Sequence, residues 1–321
     1  FTVPISLYIL SMAYPRKAEQ KEFPRIEAYS IEDLLAAYPG LNSNNHVGKV
    51  ALGKDNGEWR WHDLRKKWHI LIAGATQYGK SHLIRSILCQ LYLRPSWWKA
   101  GQVAGIDLKK DRKDGLWLFR AVLWKYADEP DDAMTVLLDV EGEIDRRFKT
   151  GKEDEPLLLL VIDEVANLTE DPEYKASAVR VLSKIARTGA GANVRLVLIT
   201  QHLTVSVIPR NISTNILVRA IFHPVDAAAV RQVIPEFPAE MVSNLNSLQP
   251  GQFYCHWRGD GDPHLVNGEM VERDMVARAV TACLEAQGGN DLAFRALHLF
   301  IKSPGIGMGK ASGLLKTNKG T

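Results

Sequence analysis

The stretch His69-Ile-Leu-Ile-Ala-Gly-Ala-Thr-Gln-Tyr-Gly-Lys-Ser81 decides the fold. Its first five residues are an apolar run of strand length. Gly74, Ala75, Thr76, Gln77, Tyr78, Gly79, Lys80 and Ser81 then fit the pattern G-x4-G-K-[ST]. Leu83, Ile84, Ile87, Leu88 and Leu91 follow at helical spacing. A strand, a glycine-rich turn and a helix in this order make a phosphate cradle. The glycines let backbone N–H groups turn inward at the positive end of a helix. Lys80 is expected to reach the β- and γ-phosphates of ATP. Ser81 is expected to ligate Mg²⁺, and His82 is grouped with the loop as a nucleotide neighbour.

Working outward, Leu157-Leu-Leu-Leu-Val-Ile-Asp163-Glu164 supplies the carboxylates. Six apolar residues form a strand that delivers two acids to its C-terminal edge, where ligands sit in an open parallel sheet. Asp163 is expected in the Mg²⁺ shell, and Glu164 is expected to polarise the attacking water. Further apolar runs span Trp68–Ala73, Val103–Asp107, Val194–Thr200 and Ile216–Phe222. Their unbroken apolarity suits strands covered on both faces. The run ending in Thr200 places Gln201 at the same edge, where it can sense the γ-phosphate or the water. Amphipathic helices lie between the runs, one of them starting at Asp131 or Asp132 as a cap and carrying Ala133, Val136, Leu137, Val140, Ile144 and Phe148. Phe253–Trp257, a Gly-Asp turn and His264–Val266 read as an antiparallel edge, closed by a helix over Glu272–Ala286. The fold class is therefore α/β, a mainly parallel central sheet flanked by helices, with antiparallel edge strands.

Composition sets the outer limits. The 321 residues carry 40 Lys+Arg against 37 Asp+Glu, with 46% hydrophobic residues, which excludes wholesale disorder, collagen and coiled coil. A net charge of +3 is too mild to announce a nucleic-acid partner. The basic run Lys109-Lys110-Asp-Arg112-Lys113 is a local exception, readable as a solvated loop or as a phosphate contact. The three cysteines are far apart and form no framework or metal pair, which suits a reducing, cytoplasmic compartment. Three segments are expected: a polar lead-in over 1–47, a motor-sized core over 48–287, and a linker with the start of a further helical domain over 288–321. The apolar stretch Phe1–Tyr14, followed by Arg16 and Lys17, is too short to span a membrane. It reads as a buried element or as the end of an upstream anchor at the inner face of the cell membrane. The tail from Gly309 resembles the opening of a helix-turn-helix.

With these motifs in hand, the sequence from about Ala51 to Val280 resembles the motor domain of FtsK/SpoIIIE-type DNA translocases, in the FtsK–HerA group of P-loop ATPases. Ala51-Leu-Gly-Lys-Asp55 resembles the strand before the family's motor core. Ile106-Asp107-Leu108-Lys109 resembles its Asp-Pro-Lys motif, and Glu143-Ile-Asp-Arg-Arg-Phe148 its Met-Glu-Arg-Arg-Tyr helix end. Leu196–Gln201 matches its sensor strand. Asn215, Arg219 and Pro250-Gly-Gln-Phe253 fall at matching places. The resemblance implies a RecA-like P-loop fold, ATP with Mg²⁺, double-stranded DNA as partner, and a homo-oligomeric ring of six subunits. Rings that move single-stranded DNA or protein, and nucleotide-switched DNA-binding partition proteins, are the competing functional classes. Two departures stand out. Gln77-Tyr78 replaces the family's usual Gly-Ser, and only the first of two arginines before the sensor strand is kept, as Arg187, with Ala190 at the second place. Arg187 is the first candidate for an arginine acting on a neighbour's γ-phosphate, ahead of Arg195 and Arg219; an ion-pair role competes for each.

Overall fold

A computed structural model describes residues 48–286 apart from 95–96, 98–100, 110–114, 153, 225 and 260. Ten strands among the described residues form one sheet in the order β2-β1-β10-β9-β8-β3-β7-β6-β4-β5. The strands are β1 (Lys49–Asp55), β2 (Glu58–Asp63), β3 (His69–Ala73), β4 (Gly101–Asp107), β5 (Lys125–Ala127), β6 (Leu157–Asp163), β7 (Val194–Thr200), β8 (Ile216–Ile221), β9 (Gln252–Trp257) and β10 (His264–Asn267). From β8 to β5 every pairing is parallel. From β8 outward to β2 every pairing is antiparallel.

The unbroken apolar runs make the parallel half, because each of those strands is covered on both faces. Along β6, Leu157, Leu159 and Val161 enter one core, while Leu158, Leu160 and Ile162 enter the other. Helix α1 (Lys80–Tyr92) covers the first face. Opposite it lies α2 (Pro130–Thr150). After a short α3 (Ala166–Thr169), α4 (Lys175–Thr188) packs on the same side as α2. Three short helices follow, α5 (Arg210–Ser213), α6 (Ala227–Val233) and α7 (Ala239–Leu245). Finally α8 (Arg273–Ala286) lies beside α1 and buries Val276, Ala277, Val280 and Cys283. All three cysteines are free and buried.

Three readings change. The cap of α2 is Glu129, with Pro130 at the first helical position, so Asp131 and Asp132 sit inside the first turn. Proline is suited to that place because its missing N–H would have no partner there. The sheet also gains β2 and β5. Glu58-Trp-Arg-Trp-His-Asp63 is too polar to announce a strand, yet it is the outermost strand of the antiparallel side among the described residues. β5 is only three residues long, and its pairing with β4 comes from tertiary context. The lead-in over 1–47, most of the basic run at 109–113, Trp98, and the linker and tail over 288–321 lie outside the described residues. Trp97 is 1% exposed, so it serves packing rather than stacking on a ligand.

Candidate functional site

Strand order places the expected site residues together. β7 lies between β3 and β6. At about 4.8 Å per strand, the ends of β3 and β6 are roughly 10 Å apart, with Thr200 and Gln201 in between. The loop from Gly74 leaves β3 and enters α1 at Lys80. Asp163 and Glu164 leave β6 at the same edge.

The loop is built by close backbone approach. Gly74 has φ +146°, and a Cβ there would lie 2.6 Å from Cβ of Phe222. Gly79 has φ +111° and faces the Phe222 ring at 3.2 Å. The N–H of Gly74 donates to the Thr200 carbonyl at 3.2 Å, and that of Ala75 to the His223 carbonyl at 2.7 Å. The Tyr78 carbonyl accepts from Gly251 N–H at 2.9 Å, and its ring stacks on His223 with centroids 4.4 Å apart. The loop is thus held by the ends of β7 and β8 and by the turn before β9. Gln77 takes φ +67°, a conformation that glycine adopts freely. Its left-handed backbone costs about 1 kcal/mol, so this departure from Gly-Ser carries strain. Tyr78, by contrast, gains a stacking partner.

Lys80 is 7% exposed and donates to the carbonyls of Gly74 at 2.6 Å and Ala75 at 2.7 Å. Burial pushes its pKa down to about 8, against the raising effect of Asp163 and Glu164; the cation Lys109 lowers it further. Ser81 lies half-buried in the first turn of α1. His82 is used differently from its neighbours: Nδ1 accepts from Val271 N–H at 3.0 Å, tying α1 to the segment after β10.

Asp163 is buried, and its register partner on β4 is the fully buried Asp107. Asp107 accepts from Trp117 N–H at 3.3 Å. Glu164 has φ +61° and is also buried. Its carboxylate accepts from Thr200 Oγ1 at 3.1 Å and from Gln201 N–H at 3.3 Å. The Gln201 side-chain oxygen accepts from Thr76 Oγ1 at 2.6 Å. Phosphate loop, sensor residue and acid therefore form one connected chain of hydrogen bonds. Thr200 and His223 were not singled out as contacts by sequence, because their partners lie far along the chain. Asp107 carried a usable signal, an acid ending an apolar run as Asp163 does. The donor set fits a magnesium nucleotide: a lysine, a helix-end hydroxyl and buried carboxylates converge on a loop kept clear of Cβ atoms.

The three arginines separate cleanly. Arg195 is 1% exposed and donates to the carbonyls of Leu64, Arg65, Lys66 and Ala190. Arg219 is 2% exposed and pairs with Glu236 at 2.8 Å. Both are structural. Arg187 is exposed on the last turn of α4 and makes no ion pair among the described residues. Its neighbour Ala186 offers a carbonyl to Nε2 of His69, the first residue of β3, at 2.9 Å. Lys80 follows the other end of that strand. Arg187 is therefore on the opposite edge of the sheet from the phosphate loop of its own chain.

A family model described as the FtsK/SpoIIIE family matches residues 39–155. The likeness to that family is carried by residues 39–155. The DNA translocase FtsK of Corynebacterium efficiens is 26% identical over 291 residues, covering 80% of this chain and 29% of that protein. The DNA translocase FtsK of Oceanobacillus iheyensis is 27% identical over 276 residues, covering 76% and 34%. The chain thus spans about a third of the length of these relatives. Among solved structures, the pCW3 conjugation coupling protein TcpA with ATPγS matches at TM-score 0.60 and 25% identity, over 71% of this chain and 67% of that one. The type VII secretion ATPase EccC of Thermomonospora curvata matches at 0.57 and 19% identity, over 70% and 29%, a likeness of fold alone. The described residues have the RecA-like α/β fold of P-loop ATPases.

Proposed function

We propose that this motor domain hydrolyses ATP to move double-stranded DNA, working as a homo-oligomeric ring of six subunits. The observation that carries the reading is the hydrogen-bonded chain from Thr76 through Gln201 to Glu164. It couples the phosphate loop to a buried carboxylate positioned to act as a base, which a passive nucleotide switch does not require. Lys80 is the cation that meets charge developing on the transferred phosphoryl group. Ser81 and Asp163 would hold Mg²⁺, which supplies charge neutralisation at the phosphate oxygens. Glu164 accepts the proton of the attacking water. Gln201, in contact with both sides, reports the state of the γ-phosphate to the strand end. The likeness to DNA translocases supports the DNA partner. The likeness to TcpA, a conjugation coupling protein, supports a second reading, transport of a single strand in DNA transfer.

The deciding experiment measures ATPase activity with duplex and single-stranded DNA over a salt series. Duplex is expected to stimulate, and the stimulation to fall steeply with salt, log K falling against log salt with a slope of about −0.9 per phosphate contacted. Stimulation by single strands only selects the coupling reading. No stimulation by either sinks both.

A further inference from the structure

A cavity of about 320 Å³ lies away from the phosphate loop. It opens on the antiparallel side, between β2, the turn before β3 and the end of β9. Trp61, Trp68 and Trp257 line it, with Lys66 and Arg258 at its exposed rim. Trp257 pairs with Val218, and Arg258 N–H donates to the Leu217 carbonyl at 2.8 Å, so this end of β9 lies at the start of β8. The cavity is therefore at the edge of the sheet opposite Lys80.

His62 also lines the cavity. It is 1% exposed, and neither of its ring nitrogens has a hydrogen-bond partner among the described residues. It stacks on Trp68 at 6.2 Å. Burial pushes its pKa down to about 4, so at neutral pH the ring is uncharged and offers one donor and one acceptor. A buried polar ring without partners is costly unless something completes it. The wall chemistry narrows what that something is. Indole rings take a flat π system. Arg60 is paired with Asp55 and Asp63 with Arg65, while Arg258 lies 3.9 Å from Glu236; Lys66 and Arg258 at the rim leave the wall in favour of an anion over a cationic guest. A bare phosphate would leave the indoles unused.

We propose that this cavity is a second nucleotide-unit site, taking one unpaired nucleobase together with its phosphate. The base lies against the indoles and presents its polar edge to His62, while Lys66 and Arg258 hold the phosphate. Aromatic platforms flanked by cations are how proteins hold unpaired nucleotides without reading a duplex. The proposal does not depend on ATP hydrolysis, and it is tested without nucleotide at the phosphate loop.

The experiment measures anisotropy of a short 5′-labelled oligothymidine with the full chain, in the absence of ATP. A strand of equal length lacking bases, a blunt duplex, and thymidine monophosphate as competitor complete the set. Oligothymidine is expected to bind, and the abasic strand to bind about tenfold more weakly, since one lost stacking contact costs about 1–3 kcal/mol and about 1.4 kcal/mol is tenfold. His62→Phe and the double variant Lys66→Gln/Arg258→Gln are expected to weaken oligothymidine by a similar factor and to leave duplex binding unchanged. The double variant changes exposed side chains only, so it keeps the test valid if His62→Phe fails to fold. Competition by thymidine monophosphate assigns the site to free nucleotides; lack of competition, with oligothymidine bound, assigns it to a strand. Equal binding of the abasic strand, wild-type affinity in the double variant, or equal loss on duplex overturns the proposal. DNA-stimulated ATPase activity of the double variant reads the motor separately, so a failure here leaves the translocase reading intact.

Discussion

At the scale of single residues, Lys80 shows how the site stores its selectivity. It donates to the Gly74 and Ala75 carbonyls, in a place dry enough to bring its pKa down to about 8. Phosphate oxygens favour the charged form and raise that pKa again. Nucleotide binding near pH 8 to 9 is therefore expected to take up a proton. Affinity should fall as pH rises through 8, by up to about tenfold per pH unit. Calorimetry in buffers of different ionisation enthalpy reads the uptake directly, and an affinity that stays flat from neutral pH to well above 8 contradicts it. Lys80→Ala is expected to abolish turnover. Glu164→Gln should retain nucleotide binding and lose about 10²-fold or more in kcat, because the amide cannot take the proton. Collapse of affinity in that variant would instead make Glu164 a metal-shell or structural group. These residues were readable beforehand because their chemistry is packed into contiguous motifs. The clamp from Thr200 and His223 was not, since it joins segments brought together only by strand order.

Among elements, the parallel strands were legible for a physical reason. Leu157–Asp163 and Val194–Thr200 are covered on both faces, so their residues are almost all apolar and polar side chains enter only where they have a partner or a site, as Asp163, Arg195 and Thr200 do. β2 escaped detection because an outer strand tolerates alternating charge. The join between elements was equally hidden. His69 donates or accepts at both ring nitrogens, with Nε2 against the Ala186 carbonyl and Nδ1 accepting from Leu196 N–H, each at 2.9 Å. Leu196 N–H requires an acceptor at Nδ1, so the ring is neutral and Nε2 carries the proton. Burial pushes its pKa down to about 4. A depressed histidine gives stability that is complete above its unfolded value near 6.5 and is lost as pH falls towards 4. The loss is at most about 1.4 kcal/mol per pH unit for this residue. Thermal midpoints between pH 7 and pH 4.5 should decline accordingly, and the decline should be shallower in His69→Gln. An unchanged slope would show that the join between β3, α4 and β7 is not set by this ring.

For the whole molecule, the decisive relation is between the two edges of the sheet. The phosphate loop, Asp163, Glu164 and Gln201 occupy one edge. Arg187 stands at the other, beyond the first residue of β3, exposed and without an ion pair among the described residues. Arg195 and Arg219 are both spent on internal contacts. A phosphoryl-transfer site gains from an arginine supplied by a neighbour, an effect of about 10³–10⁵ in rate. Arg187 cannot fold back to its own Lys80 across the length of β3, so any action on a γ-phosphate is on another subunit. Arg187→Ala is therefore expected to lose ATPase activity while keeping nucleotide binding and assembly. Mixing it with Lys80→Ala subunits should partly restore hydrolysis. In mixed rings some interfaces join an intact Lys80 on the Arg187→Ala chain to an intact Arg187 on the Lys80→Ala chain. Even a small fraction of such interfaces rises above a background lowered by that factor. Native mass spectrometry verifies that the rings are mixed. Mixed rings with no recovered activity would remove Arg187 from the active site and leave its exposed guanidinium as surface charge.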